Sequence, residues 1–265
     1  VMEQGLAPKT CNLRLTAIRA FLEYAAQEYL WIMPVYTDAC TIVGVKTTNH
    51  AIEYFEPNEM TALLAAPSGN NKTDRRNQMM LIFLYDTAAR VAEARQVKVS
   101  DLHLDAEVPY VTLLGKGRKY RNIPLMDKTI LHLKRFLKDF HGSELKTDMP
   151  LFYSKIHGQV HELSSDTFEK MIKRYAAQCR AGGYPMPDNV HCHMIRKTRA
   201  MDLYREGVPL THIQQLLGHE NISTTSGFYA FATLDVLAKA METVNPDNGI
   251  KSWSNPDTLE RLYRL

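Results

Sequence analysis

The sequence predicts a mainly α fold with a small antiparallel β-sheet or hairpin (α+β), in a larger unit that follows a short helical one. Three observations carry this. Apolar residues recur at helical spacing along most of the chain. Only VPYVTLL (108–114) and YRNIPL (120–125) read as strands, and they flank the glycine-containing turn GKGRK. The helical period lapses in the polar stretch ending at Glu56, which predicts a helical unit over 1–45, a linker over 46–56 and a larger unit over 57–265.

Each element has a local reason. TCNLRLTAIRAFLEYAAQE (10–28) places Leu15, Ile18, Leu22 and Ala25 on one helical stripe, with Thr10 as the expected N-cap. Arg14 and Arg19 fall off that stripe, as solvated charge or as phosphate contacts. YLWIMP closes this region at Pro34. PNEMTALLAA begins a new unit, with Pro57 in a first turn and Pro67 as the stop. Residues 73–96 read as one long helical pattern. DKTILHLKRFLKDF (127–140) is amphipathic through Ile130, Leu133 and Leu137, and SSDTFEKMIKRYAAQC (164–179) is opened by serine caps. Two short helices follow from His193, stopped by Gly207 and Gly218. FATLDVLAKAMETV (231–244) is a further helix. PDTLERLYRL (256–265) is a detached helical tail whose stripe of Leu259, Leu262 and Leu265 must bury somewhere.

The 265 residues are 45% apolar, enough for a substantial core. A formal charge of +3 argues little for nucleic acid by itself, so that case rests on local clustering. The four cysteines are scattered without a CxxC pair, which predicts reduced thiols and a cytoplasmic protein. MMLIFLY (79–85) is too short to span a bilayer, and no membrane partner is expected. No signal-peptide pattern opens the chain, and a start at Val1 close to a helix is expected of a truncated N-terminus.

The candidate chemistry lies in four places. Arg90 and Glu93 stand at i, i+3, the spacing of a helical ion pair. Lys116, Arg118, Lys119 and Arg121 crowd the hairpin, either as a solvated tip or as a basic element that enters a DNA groove. His193 and Arg196 share a helix face, with Lys197 next to them. His219 follows Gly218, and Tyr229 comes ten residues later. A zinc reading of His191-Cys192-His193 lacks a second ligand pair at usual spacing.

In this order, TAARVAEARQVKVSDL, GKGRKYRNIPL, HMIRKTRAMDLYREGVPLTHIQQLLGHENISTT and Tyr229 resemble the tyrosine recombinase (phage integrase) family, and the wording resembles recombinases of mobile elements. The likeness runs over residues 57–244, and residues 1–45 resemble the end of the family's helical core-binding domain. Two departures touch no chemical group. The family often has T-G-x-R where Thr87-Ala88-Ala89-Arg90 stands, and a His-Thr pair where Lys197-Thr198 stands.

The resemblance implies site-specific cutting and rejoining of DNA through a 3′-phosphotyrosine and a Holliday junction. Arg90, Glu93, Lys116, His193, Arg196, His219 and Tyr229 would be catalytic, and Arg14, Arg19, Arg118, Lys119, Arg121 and Lys197 would bind DNA. It implies no metal and no cofactor. The partners would be double-stranded DNA and further copies of the chain in a tetramer, with exchange of the C-terminal tail. A type IB topoisomerase uses similar chemistry without exchanging partners, and a DNA-binding regulator would lack the nucleophile.

Overall fold

The computed structural model of the chain describes residues 5–47, 53–67, 71–142 and 146–218. The chain divides into two compact units, Val1–Ile52 and Glu53–Leu265. His219, Tyr229, the expected helix at 231–244 and the tail lie outside the described residues.

In the first unit, α1 (Pro8–Glu28) and α2 (Met33–Thr41) pack together after a 3-10 turn at Leu30–Ile32. The expected N-cap at Thr10 is not the cap. Pro8 stands in the first turn of α1, where its missing N–H costs nothing. Pro34, expected to end the region, instead lies in the first turn of α2 for the same reason. Arg19 is engaged inside this unit. Its Nε donates to the Ala39 carbonyl at 2.9 Å, and its Nη2 donates to the Cys40 carbonyl at 3.2 Å and to that of Ile42, so it caps the C-terminus of α2. Arg14 is exposed.

The second unit begins before the expected linker ends. Phe55 is fully buried and its N–H donates to Thr198 Oγ1 at 2.9 Å. The Glu56 N–H then donates to Glu59 at 2.8 Å, opening α3 (Pro57–Ala65). Helix α4 (Lys72–Thr87) is capped by the Asn71 side chain, which accepts from the Asp74 N–H. The periodic pattern of 73–96 does not make one helix. Ala88 takes the left-handed conformation (φ 48°, ψ 29°), and α5 (Val91–Gln96) starts afresh with Arg90 as its N-cap.

The expected hairpin forms. Strand β2 (Tyr110–Leu114) pairs antiparallel with β3 (Tyr120–Pro124), and the short β1 (Leu102–His103) adds on the other side of β2. The register sets Val111 opposite Ile123 and Leu113 opposite Arg121. Val111, Leu113 and Ile123 are buried, so one face of the sheet points into the core. Helix α6 (Asp127–His141) and α7 (Ser165–Ala181, capped by Ser164) follow the expected amphipathic stretches. A second hairpin, β4 (Tyr153–Ile156) with β5 (Gln159–Glu162), was not anticipated, because its strands are largely polar and exposed. Helices α8 (Cys192–Arg205) and α9 (Leu210–Leu217) complete the described part.

Helix α4 packs against α3, α5, α6 and α8, and Phe83 meets Phe152 edge-on at 5.5 Å within the main core. A smaller cluster of Ala88, Ala200, Met201, Ile213 and Leu217 joins the turn after α4 to α8 and α9. This second cluster holds the site in register.

Candidate active site

The site is assembled around the C-terminal end of α9. A helix leaves its last carbonyls without partners, and its dipole makes that end negative. Gly218 stops the helix in the left-handed conformation (φ 62°). Three successive carbonyls at this end are then taken by three arginines from three other elements. Arg121 Nε donates to Leu216 at 3.0 Å, Arg196 Nη2 to Leu217 at 2.5 Å, and Arg90 Nη2 reaches Gly218 at 3.5 Å.

Each arginine is fixed a second time. Arg196, on α8 and almost wholly buried, also donates from Nη1 to the Ala88 carbonyl at 2.7 Å. Ala88 thus serves twice: its left-handed turn breaks α4 from α5, and its oxygen anchors Arg196. Arg90 donates from Nη1 to Glu93 Oε1 at 2.8 Å, while the Arg90 backbone N–H donates to Glu93 Oε2 at 2.7 Å. The expected i, i+3 pair exists, and it is also the N-terminal cap of α5. Arg121 forks onto both oxygens of the same carboxylate, at 2.9 and 2.7 Å. Burial alone would raise the Glu93 carboxyl. The Arg121 fork, the Arg90 N–H, the Arg121 charge and the Arg90 side-chain hydrogen bond overcome that and hold it down to about 2. Glu93 is therefore an ionised anchor for two arginines and carries no proton near neutral pH.

Arg121 is the main correction to the sequence reading. Expected at a basic tip in contact with DNA, it points inward instead, on the strand face of Ile123, with its side chain 13% exposed. Strand alternation carried the signal, since Arg121, Ile123 and Leu125 share one face and the latter two are apolar. Two glycines make room for it. A methyl group on Gly115 would come within 3.2 Å of Arg121 Nη1, and so would one on Gly218. Arg118 and Lys119 are exposed as expected, and so is Lys116, in a tight turn where Gly117 (φ 73°) and Arg118 (φ 58°) are both left-handed.

His193 opens α8 and retains solvent contact. Partial withdrawal of its ring from water, followed by the charges of Arg196, Lys197, His191 and Arg90, pushes it down to about 4. It is therefore neutral at physiological pH, with one ring nitrogen able to accept a hydrogen bond but only weakly basic. His191 stacks beside it with ring centroids 6.4 Å apart. Lys197 is partly exposed on the same helix. Among the described residues, no group of three or more His, Cys, Asp or Glu could hold a metal ion, and no helix is long and apolar enough to cross a membrane.

Comparison with known proteins shows the class: a site-specific recombinase of the tyrosine type. The chain belongs to the phage integrase family, whose model matches residues 53–233. It is 31% identical over 227 residues to the tyrosine recombinase XerD of Halalkalibacterium halodurans, covering 84% of this chain and 71% of that protein. It is 28% identical over 238 residues to the tyrosine recombinase XerC of Staphylococcus epidermidis, covering 89% of this chain and 75% of that one. The fold is similar to that of the Tn1549 transposon integrase in complex with a circular intermediate DNA. There the TM-score is 0.69 at 19% identity, over 92% of this chain and 82% of that one.

Proposed function

We propose that the chain cuts DNA by attack of Tyr229 on a backbone phosphate, with Arg90 and Arg196 as the clamp, His193 and His219 as hydrogen-bonding partners of that phosphate, and Lys116 as the acid. The observation that carries this reading is the convergence of Arg90, Arg121 and Arg196 on the carbonyls of residues 216–218, immediately before His219 in the chain. A phosphodiester repels nucleophiles, and attack adds charge to its equatorial oxygens, so catalysis is mainly electrostatic stabilisation and positioning. Guanidinium forks suit phosphate oxygens and do not lose their charge. Holding each fork through two protein anchors supports a clamp whose orientation precedes DNA binding.

In the cutting step the Tyr229 oxygen forms a bond to phosphorus and the bond from phosphorus to the 5′-oxygen breaks. The phenolic proton passes to a base, the role proposed here for His193, and the departing 5′-oxygen takes a proton from Lys116. The product is a 3′-phosphotyrosine and a free 5′-hydroxyl. Because the ester energy is kept, a second DNA end reverses the step without a cofactor. Two rounds of exchange among four copies, through a Holliday junction, complete recombination in the cytoplasm. Tail exchange through Leu259, Leu262 and Leu265 holds the copies together. In this reading residues 1–45 grip the duplex with the catalytic domain, and exposed Arg14, Arg118 and Lys119, together with Lys197, supply phosphate contacts.

The test is a duplex carrying the recognised site, found by selecting bound DNA from a random-sequence pool and nicked a few nucleotides 3′ of the cleaved phosphate. The escaping fragment should trap a denaturant-resistant protein–DNA adduct in excess EDTA. Tyr229→Phe should bind the duplex but form none. No adduct from the wild-type chain, an adduct that needs added Mg²⁺, or one that persists in Tyr229→Phe would overturn the reading. Strand joining between two duplexes separates recombination from simple relaxation.

A further inference from the structure

We infer that Arg121 is a positioning residue for the Lys116 hairpin: it sets the lysine against the clamp without itself touching the DNA. The inference rests on the reading above and extends it to a residue outside the expected catalytic set. Arg121 spends its guanidinium internally, on both oxygens of Glu93 and on the Leu216 carbonyl. These three bonds tie strand β3 to α5, whose cap is Arg90, and to α9, whose next carbonyl holds Arg196. The same strand carries the lysine turn. Gly115, adjacent to Lys116, donates its N–H to the Lys119 carbonyl at 2.8 Å, and a Cβ placed on it would come within 3.2 Å of Arg121 Nη1. Beyond that root the turn is exposed and built from left-handed residues. Strand β2 also packs on α5 through the core, and among the described residues Arg121 adds the polar reference that ties the base of the Lys116 turn to the clamp. Arg90 and Arg196 keep their own anchors on Glu93 and Ala88 without it.

This placement makes a specific forecast for Arg121→Lys, which preserves the charge but cannot form the fork. The hairpin loses its root, so the proton for the departing oxygen arrives from a misplaced donor. A misplacement of this kind should cost on the order of 10²-fold in single-turnover adduct formation. Replacing the bridging 5′-oxygen of the nicked duplex by sulfur gives a thiolate leaving group that needs little protonation. On that substrate Arg121→Lys should regain nearly the wild-type rate, as should Lys116→Ala, while duplex affinity stays close to wild type on both. A slow rate on oxygen and sulfur alike would make Arg121 a general support of the site and overturn the inference. So would a loss of affinity with a shallower salt dependence, which is the mark of a direct phosphate contact, or an unchanged rate.

Gly115→Ala keeps Arg121 and presses a methyl group toward its Nη1 and toward the Lys119 carbonyl, each at 3.2 Å. It should show a smaller loss with the same sulfur rescue, which covers the case in which Arg121→Lys does not fold. Failure of the wild-type chain to form any adduct removes the reading of the site and this inference with it. A wild-type adduct without sulfur rescue in either variant removes the inference alone.

Discussion

The root and the tip of the β2–β3 hairpin carry the same charge under opposite constraints. At the root, Arg121 lies on the inward face of β3 and is held by a carboxylate and a helix end. At the tip, three residues away in sequence, Arg118 sits exposed in a left-handed turn, with Lys116 and Lys119 on either side. The difference shows that a basic run is not one object. Strand alternation sorts it into charges that organise the protein and charges that face outward, and only the second kind is suited to counterion release from DNA.

The root depends on Glu93, so removing that charge is the largest expected effect. Glu93→Gln leaves two guanidinium groups facing a neutral amide in a buried site and should destabilise the second unit by about 3 kcal/mol at pH 7. The folded carboxyl sits at about 2, below its ordinary 4.5. Its contribution is therefore full at neutral pH and is lost as pH falls from 4.5 toward 2. Urea unfolding across that range should show the gap between wild type and variant closing as the solution becomes more acidic. A gap that is small at pH 7, or constant with pH, would mean that the root is not organised by this carboxylate.

The tip should behave in the opposite way. Arg118→Ala should leave stability unchanged, and Arg118→Ala with Lys119→Ala should flatten the salt dependence of DNA binding. The slope falls by about 0.9 for each phosphate contact removed, so by up to roughly 2 for the pair. Adduct formation at saturating DNA should change little. A loss of rate at saturation would show that the tip, too, has a fixed catalytic geometry.

Much of this was legible in the sequence. The order of Arg90, Glu93, Lys116, His193 and Arg196 pointed to the site, and the structure gathers Arg90, Glu93 and Arg196 around the end of α9. The hairpin and most helices followed from periodicity. What was hidden depends on tertiary context. Nothing in Ala88-Ala89-Arg90 breaks a helix by propensity; the left-handed turn is held by burial of Ala88 against Ala200, Met201, Ile213 and Leu217. Arg121 was misplaced because charge clustering was weighed above the alternation that sends its side chain inward. The capping of α2 by Arg19 was hidden because it depends on a packing partner twenty residues away in sequence. The second hairpin has too little apolar alternation to announce itself.

The smallest expected effect is at Ala88, where the family often has glycine. Relief of the left-handed strain would favour glycine by about 1–2 kcal/mol. Loss of a buried methyl group opposes it by about 0.8 kcal/mol, and the added chain entropy by about 0.5–1. Ala88→Gly should thus lie within about 1 kcal/mol of the parent in thermal unfolding and leave adduct formation intact. A large change of either sign would show that the turn is set by something other than this balance.

The central claim is that the arginines at the root of the site are a geometric clamp and not merely positive charge. It is tested most directly at Arg196, by measuring single-turnover adduct formation on the nicked duplex together with duplex affinity. Arg196→Lys keeps the charge but cannot span the carbonyls of Ala88 and Leu217 and present a planar fork to phosphate. The account predicts a rate lower by on the order of 10²-fold or more with affinity little changed. A near-normal rate for Arg196→Lys would contradict it.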